Sequence, residues 1–446
     1  MGYATAVCTP AMLINLFYAS LFVIGQVGEN VVLPLWIAAS MTSSNGTDSS
    51  LAIASPGNNN SNVCPNTSNT TGPEPKSLDN FFVLSFASLS FVIIFGLVTL
   101  GIILFGRPGT IGRTERKFPH TDMFLIGFCD AINGVMVVFA ATASRTSPML
   151  QTLLGNFMIP LTVVARIFIL KKKPNLVQGL SAVAVFMALL LCLAPDIFDL
   201  DKPRCSQSSA STSSTGAARV LWPLCFMFGF VPAAIMNVLE EKSLKKRVRS
   251  GNGTRQINLF YFLFWTSLYQ LLTAAALFWI DIIPGFGTAH GSITEFGKNY
   301  WYGIKCFFGY GGCDYSSGLR GSLFVGFYVV AYIGGGLLLR FSDGATFMAI
   351  VNSVTTPLGF LFWTLFQDPS KGPFMWDPHA TTKTYFSLGG LVIMIPFTFI
   401  YNYRRAQKST VDSFDEETSS LFSSSSQHFS GHRINPGEKN FSYQDD

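Results

Sequence analysis

Residues Phe124 to Ala143 read FLIGFCDAINGVMVVFAATA. The run is long and apolar enough to cross the roughly 30 Å hydrocarbon core of a bilayer as a helix, yet it holds a carboxylate, Asp130. Facing lipid would cost that group about 2.5 to 3.5 kcal/mol on insertion scales. Asp130 lies roughly 12 Å from the nearer end of the segment at 1.5 Å per residue, too deep for a short side chain to reach water. It must therefore face protein or a cavity. Asn133, three residues on, shares its face, so the two make a polar patch inside the membrane.

The rest of the chain supports a membrane setting. Hydrophobic residues make up 49% of it and charged residues 12%, against about 25% charged in soluble domains. Mean hydropathy is +0.38. A soluble core needs a polar shell that this composition does not supply. Stretches that can span fall at 11–39, 81–106, 122–143, 151–170, 177–198, 219–241, 259–283, 321–340, 343–365 and 384–402, with the weakest break at Arg340 to Asp343. The expected fold is all-α and polytopic, with ten transmembrane helices.

Lys and Arg cluster in short connections after the even-numbered spans, as in GRPGTIGRTERK, LKKKP and EEKSLKKRVRSGNGTR. The positive-inside rule puts these connections and both termini in the cytosol. The net charge of +5 is thus a record of topology, and no nucleic-acid partner is expected. The opposite face receives the loop 40–78, rich in Asn, Ser and Thr, with glycosylation sequons at Asn45, Asn59, Asn66 and Asn69. Cys64, Cys205, Cys306 and Cys313 fall on the same face, where an oxidising lumen allows pairing; Cys306 and Cys313 are spaced to close a small loop. No C-x-x-C pair is present, so neither a zinc ribbon nor a thioredoxin-type motif is expected, and no metal or cofactor is predicted.

Internal repetition sets the next level. Span four contains GNFMIPLT and span nine VNSVTTPLG, each placing an Asn shortly before a Pro-Leu pair: Asn156 with Pro160, Asn352 with Pro357. Five helices are an odd number, so a second copy must enter the membrane from the other side, giving an inverted repeat of the kind transporters use. A packing kink is the plainer reading of either motif alone; matched placement favours a cavity-lining pair. The chain then divides into a short cytosolic N-terminus at 1–10 and a first five-helix repeat at 11–198. A linker with helix six at 199–258 leads into a second repeat at 219–402, which holds a lumenal cysteine loop at 285–320. A polar cytosolic tail at 403–446 is expected to be disordered.

Polar residues within spans complete the inventory. Glu29, with Gln26 and Asn30 beside it, is a second buried carboxylate; Asn237 and the group Asn352, Ser353, Thr355 and Thr356 extend the set. Arg166 is expected to snorkel at the cytosolic interface, and Asp281 and Asp196 to do the equivalent at the lumenal end. Gly334, Gly335 and Gly336 read as a close-packing signal. Tyr300, Trp301, Tyr302, Phe307 and Phe308 suit either an amphipathic segment on the membrane surface or a packed lumenal cap. Asp130 is either a proton carrier between lumen and cytosol or a carboxylate bonded to a neighbouring helix.

Four pieces in succession carry a resemblance: FCDAINGV; ASRTSPMLQTLLGNFMIPLTVVARIFILKKK; VPAAIMNVLEEKSLKK; and RFSDGATFMAIVNSVTTPLG. From about Asn80 to Arg405 the chain resembles the chloroquine-resistance-transporter-like family of the drug/metabolite transporter superfamily. The resemblance implies ten helices in an inverted five-plus-five repeat, with helices one to four and six to nine lining a central cavity. It implies small solutes, such as peptides, amino acids or glutathione-related thiols, moved from a vacuole or across a plastid envelope. By motif, Asp130 falls at the family's Asp in helix three, Asn156 at a polar cavity position, and Asn237 at the Asn of helix six. Cys306 and Cys313 match the outer pair of a four-cysteine lumenal loop whose inner pair is missing here. Where the vacuolar archetype has an Asn-Lys pair, this chain has Glu29-Asn30, which favours cationic substrates.

The functional expectation is a proton-coupled exporter of small organic solutes, including cationic or thiol compounds, from an acidic vacuole- or lysosome-like lumen. Its partners are the lipid bilayer, the solute and protons. The alternative is a nucleotide-sugar or sugar-phosphate exchanger of the Golgi or plastid. A membrane-embedded enzyme is disfavoured, because the helices carry neither H-E-x-x-H nor G-x-S-x-G.

Overall fold

A computed structural model describes residues 10–39, 78–106, 111–112, 115, 117–140, 145, 154, 157–171, 176–197, 218–250, 253–287, 289, 291–310, 313–342, 344–366, 376, 378, 384–386, 388–398 and 400. The sequons at Asn45, Asn59, Asn66 and Asn69, together with Asn156, Cys64, Cys205 and the tail 403–446, lie outside the described residues.

Helices dominate. They are α1 (Pro10–Ala39), α2 (Asn80–Phe105), α3 (His120–Ala140), α4 (Met158–Leu170), α5 (Leu176–Ile197) and α6 (Ala218–Lys245). A short hairpin follows, β1 (Arg247–Ser250) with β2 (Gly253–Gln256). Next come α7 (Leu259–Ala276), α8 (Ile293–Phe307), α9 (Ser317–Phe341), α10 (Ala345–Ser353), α11 (Thr355–Leu365) and α12 (Thr384–Thr398). Among the described residues, six helices are long and apolar enough to cross a membrane: α1, α2, α3, α6, α7 with the 3-10 turn that extends it, and α9. The chain is a polytopic helical membrane protein.

Local chemistry sets the boundaries. Asp79 accepts from the Phe81 backbone N–H at 3.3 Å and starts α2. Asn258 does the same for α7, with Phe260 at 3.0 Å and Tyr261 at 3.3 Å, satisfying donors that a first turn leaves unpaired. Span nine is cut in two at Val354. Pro357 has no N–H to give the turn before it. There the Thr355 hydroxyl donates to the Asn352 carbonyl at 2.6 Å and the Ser353 hydroxyl to that of Ile350 at 2.6 Å. The expected break after Arg340 is present: α9 stops at Phe341, and Gly344, at φ +84°, turns the chain into α10.

Helix pairing places the interior. α1 packs along α9, α3 along α6 and α7, and α2 along α7. Small residues permit the closest approach: a Cβ on Gly334 would stand 2.7 Å from the Phe22 backbone nitrogen, and one on Gly336 2.8 Å from Leu259. At the far end from the basic connections, Trp36 is fully buried against Phe82, Phe86, Phe307 and Phe324. Its indole N–H donates to the Ser317 hydroxyl at 3.2 Å, as a buried Trp requires. Beside it, Cys306 and Cys313 form a disulfide that ties α8 to the start of α9. The aromatic loop resolves into two faces of α8. Tyr300 and Phe307 pack on Phe82 and Phe86 of α2, while Trp301 and Phe308 are exposed.

Two expectations for charged residues are overturned. Arg166 does not snorkel: it is buried and pairs with Glu241 at 3.1 Å. Asp281 is fully buried in the turn after α7, near Arg145, whose guanidinium lies 4.0 Å over the Trp222 ring. In both cases a partner distant in sequence makes burial tolerable where an isolated charge would not be. The side chain of Asp196 lies outside the described residues.

Candidate functional site

Asp130 sits about 15 Å along α3 from its start at His120, by helix rise. Its carboxylate accepts a 2.6 Å hydrogen bond from the Tyr332 hydroxyl of α9, a short charge-assisted contact. Tyr332 stands one turn from Tyr328, with ring centroids 5.2 Å apart. Phe91 and Phe95 of α2 wall the pair: Phe91 meets Tyr328 edge-on at 4.9 Å and Tyr332 at 5.0 Å, and Phe95 meets Tyr332 at 6.4 Å. Apolar rings on one side and carboxylates on the other make an interior that is polar along one seam.

The seam continues in both directions. Toward the basic connections lies Glu240 of α6, 8% exposed and within electrostatic reach of both Asp130 and Tyr332. Toward the far end lies Glu29 of α1, within electrostatic reach of Tyr328. Its Oε2 atom is buried and finds no hydrogen-bond partner among the described residues. At 1.5 Å per residue, Glu240 lies about 8 Å from the basic end of its helix and Asp130 about 15 Å. Tyr328 follows at about 20 Å and Glu29 at about 28 Å. Three acids and two phenols are thus laid out as a ladder across the interior. Among the described residues no three His, Cys, Asp or Glu side chains converge to hold a metal ion.

The other expected residues divide. Asn133 turns to α6, its amide donating to the Gly229 carbonyl at 2.9 Å, in the turn before Pro232. That bond braces a helix which a proline has weakened. Asn237 is buried on α6, one turn before Glu240, with its Oδ1 atom lacking a hydrogen bond among the described residues. Asn352 has its Oδ1 atom in the same state, at the break between α10 and α11, next to the buried Thr355. Asn30 is exposed. Of the site residues anticipated, Asp130 and Glu29 are on the ladder.

Glu240 was missed by sequence reasoning, as were Tyr328 and Tyr332. Glu240 opens the run EEKSLKK, which by composition belongs to a cytosolic loop, but α6 carries on to Lys245 and takes it inside. Tyr328 and Tyr332 lie four apart on α9, facing Phe91. Aromatic spacing of that kind is indistinguishable from ordinary packing until the partner carboxylate is seen.

Relatives exist with related names. "Crt homolog 3" of Dictyostelium discoideum is 24% identical over 311 residues, 64% of this chain and 58% of that protein. "Crt homolog 1" of the same organism is 27% identical over 198 residues, 44% of this chain and 37% of that protein. The "Chloroquine resistance transporter" of Toxoplasma gondii is 22% identical over 335 residues, 70% of this chain and 34% of that protein. The chain therefore spans between about one third and three fifths of the length of these relatives. A family model described as "CRT-like, chloroquine-resistance transporter-like" matches residues 76–401, a range that takes in α2 to α12. With the greater part of its length so matched, the chain belongs to the CRT-like family.

Proposed function

We propose that the chain is a secondary active transporter, carrying small organic solutes from an acidic, vacuole- or lysosome-like lumen to the cytosol with protons as the coupling ion. The ladder Glu29, Tyr328, Tyr332, Asp130 and Glu240 carries this reading: ionisable groups inside a membrane protein are functional candidates by default, and here they run in series across the interior. Carboxylates and phenols accept hydrogen bonds from ammonium groups, and aromatic faces attract cations, so amino acids, peptides and other cationic compounds are the preferred solutes. The relative named as a transporter supports the activity. The alternative, an exchanger of nucleotide sugars or sugar phosphates, calls for Arg or Lys toward the phosphate, and the ladder is built from acids.

The inverted repeat of ten helices is part of the proposal, as are repeat boundaries at 11–198 and 219–402. In this scheme α1 to α5 are spans one to five; α6, α7, α9, the pair α10 with α11, and α12 are spans six to ten. Exchanging the halves carries the pairing α1 with α9 onto α6 with α3, and α4 with α6 onto α10 with α1. It leaves α2 with α7, and α4 with α10, unchanged. Each of these pairs is in contact, which supports the symmetry. Basic connections and termini are assigned to the cytosol, and the sequon-bearing loop to the lumen, where Asn45, Asn59, Asn66 and Asn69 would carry glycans.

Uptake into proteoliposomes under an imposed pH gradient, screened over amino acids, peptides, glutathione and nucleotide sugars, tests the proposal. Asp130→Asn is expected to reduce gradient-driven uptake at least tenfold. Intact uptake in that variant would remove Asp130 from the coupling, and no gradient-dependent uptake of any class would defeat the reading.

A further inference from the structure

Glu240 has a neighbour with a different task. One residue on, and about 100° around the helix, the Glu241 side chain is fully buried. Its Oε1 atom accepts from Arg166 Nη2 of α4 at 3.1 Å and from Lys245 Nζ of α6 at 3.0 Å. Its Oε2 atom accepts from the Ala345 backbone N–H at 2.9 Å, at the N-terminus of α10. Lys245 also donates to the Ser342 carbonyl at 3.1 Å, and Arg166 reaches the Thr346 hydroxyl at 3.5 Å. One carboxylate thereby joins α4, α6 and the corner between α9 and α10.

The corner is shaped around that carboxylate. Gly344 has φ +84°, and a Cβ there would fall on the Glu241 carboxylate itself. No other side chain fits while the contact is made. A buried carboxylate between two cations and a helix N-terminus has two sensible conditions: fully bonded, or released to water. A partly bonded state leaves charge uncompensated away from solvent. Because Glu240 and Glu241 are consecutive on the stretch of α6 that follows Pro232, that stretch cannot shift at the ladder without carrying the bonded corner with it.

We propose that Glu241 is the latch of a cytosolic gate, holding α4, α6 and the start of α10 together between the lower end of the ladder and the cytosol. The structure then represents the state closed on that side, and release of the latch opens it. The inference rests on the transport reading for the ladder and its orientation, but is tested without solute or gradient.

The test uses the full chain with all cysteines except Cys306 and Cys313 replaced and a reporter, Tyr328→Cys, placed in the ladder. It is reconstituted in vesicles of known orientation and labelled with a membrane-impermeant maleimide from each side. Glu241→Gln is expected to raise the labelling rate from the cytosolic side at least tenfold without raising it from the lumenal side. Gly344→Ala displaces the carboxylate and keeps its charge. It should act in the same direction, and covers the case in which Glu241→Gln does not fold. Unchanged cytosolic labelling in whichever of these variants elutes as a folded, monodisperse protein overturns the latch, as does an increase confined to the lumenal side. Failure of the solute screen alongside an intact labelling response would defeat the transport reading and leave the latch standing.

Discussion

Replacing Gly25 by Ala puts one methyl group into the contact between α1 and α9. The added carbon would stand 2.7 Å from the Ala331 Cα atom and 2.8 Å from the Phe327 carbonyl oxygen, against roughly 3.5 to 4.0 Å for carbons in comfortable contact. Both neighbours are backbone, so no rotamer change relieves the clash, and the two helices must part by about 1 Å. Overpacking of this kind costs about 1 to 3 kcal/mol, and the absence of side-chain relief argues for the upper end. Ala gains back about 0.8 to 1.0 kcal/mol over Gly in a helix, leaving a net destabilisation of about 2 kcal/mol. Gly326, on α9, has nothing within 4 Å of the same added carbon, so Gly326→Ala receives only the gain. Unfolding in mixed micelles, followed by tryptophan fluorescence, should rank Gly326→Ala at or above wild type and Gly25→Ala well below it. Glu29 shares a face with Gly25 one turn away, so Gly25→Ala should also reduce uptake by moving that carboxylate from Tyr328. A Gly25→Ala protein as stable as wild type, or a Gly326→Ala protein equally damaged, would refute the close contact of α1 with α9.

Two further outcomes are expected at the end of the molecule that carries the disulfide. Cysteines 306 and 313 are seven residues apart, and closing so small a loop is worth about 2.4 kcal/mol in the chain-entropy account. Changing both to Ser should therefore speed amide exchange over 300–320 while leaving α3 unaffected, and equal exchange in the two proteins would show the bridge to be dispensable. Asp314 accepts from the Ser316 hydroxyl at 2.7 Å and its backbone N–H at 3.2 Å, with Arg320 at 3.8 Å. The Ser316 hydroxyl bond, with help from the Ser316 backbone and Arg320, holds its carboxyl below the usual carboxylate range. A carboxyl lowered in the folded state stabilises above its unfolded value, near 3.9, and loses that contribution as pH falls through the folded one. The start of α9 should thus hold in mild acid. Stability curves of wild type and Asp314→Asn should converge only under stronger acid, and a constant gap down to the most acidic pH would contradict this.

The helices and two members of the site, Asp130 and Glu29, were legible from sequence because the signals are local. An apolar run declares itself, and a carboxylate within one, such as Asp130, must be sheltered whatever the fold. Gly334 and Pro357 likewise announce a close approach and a break. Glu240, Glu241 and Arg166 were not legible, because each lies at a helix end beside basic residues, where composition predicts an interfacial position. Only the convergence of α4, α6 and α10 takes them inside, and that depends on partners distant in sequence. Asn133 shows the converse: the sequence pairs it with Asp130 on one face, but its amide serves the bond to Gly229, a use that no spacing rule predicts.

The partnership of α1 with α9 also bears on how the chain is made. Trp36 donates to Ser317, a residue 281 positions later. At about 5 to 20 residues per second, some 15 to 60 s of synthesis separate the emergence of the first helix from that of its chief partner. For that interval Glu29 sits in a membrane segment whose matching surface does not yet exist. Biogenesis, before any question of transport, is where a change in α1 would first be felt.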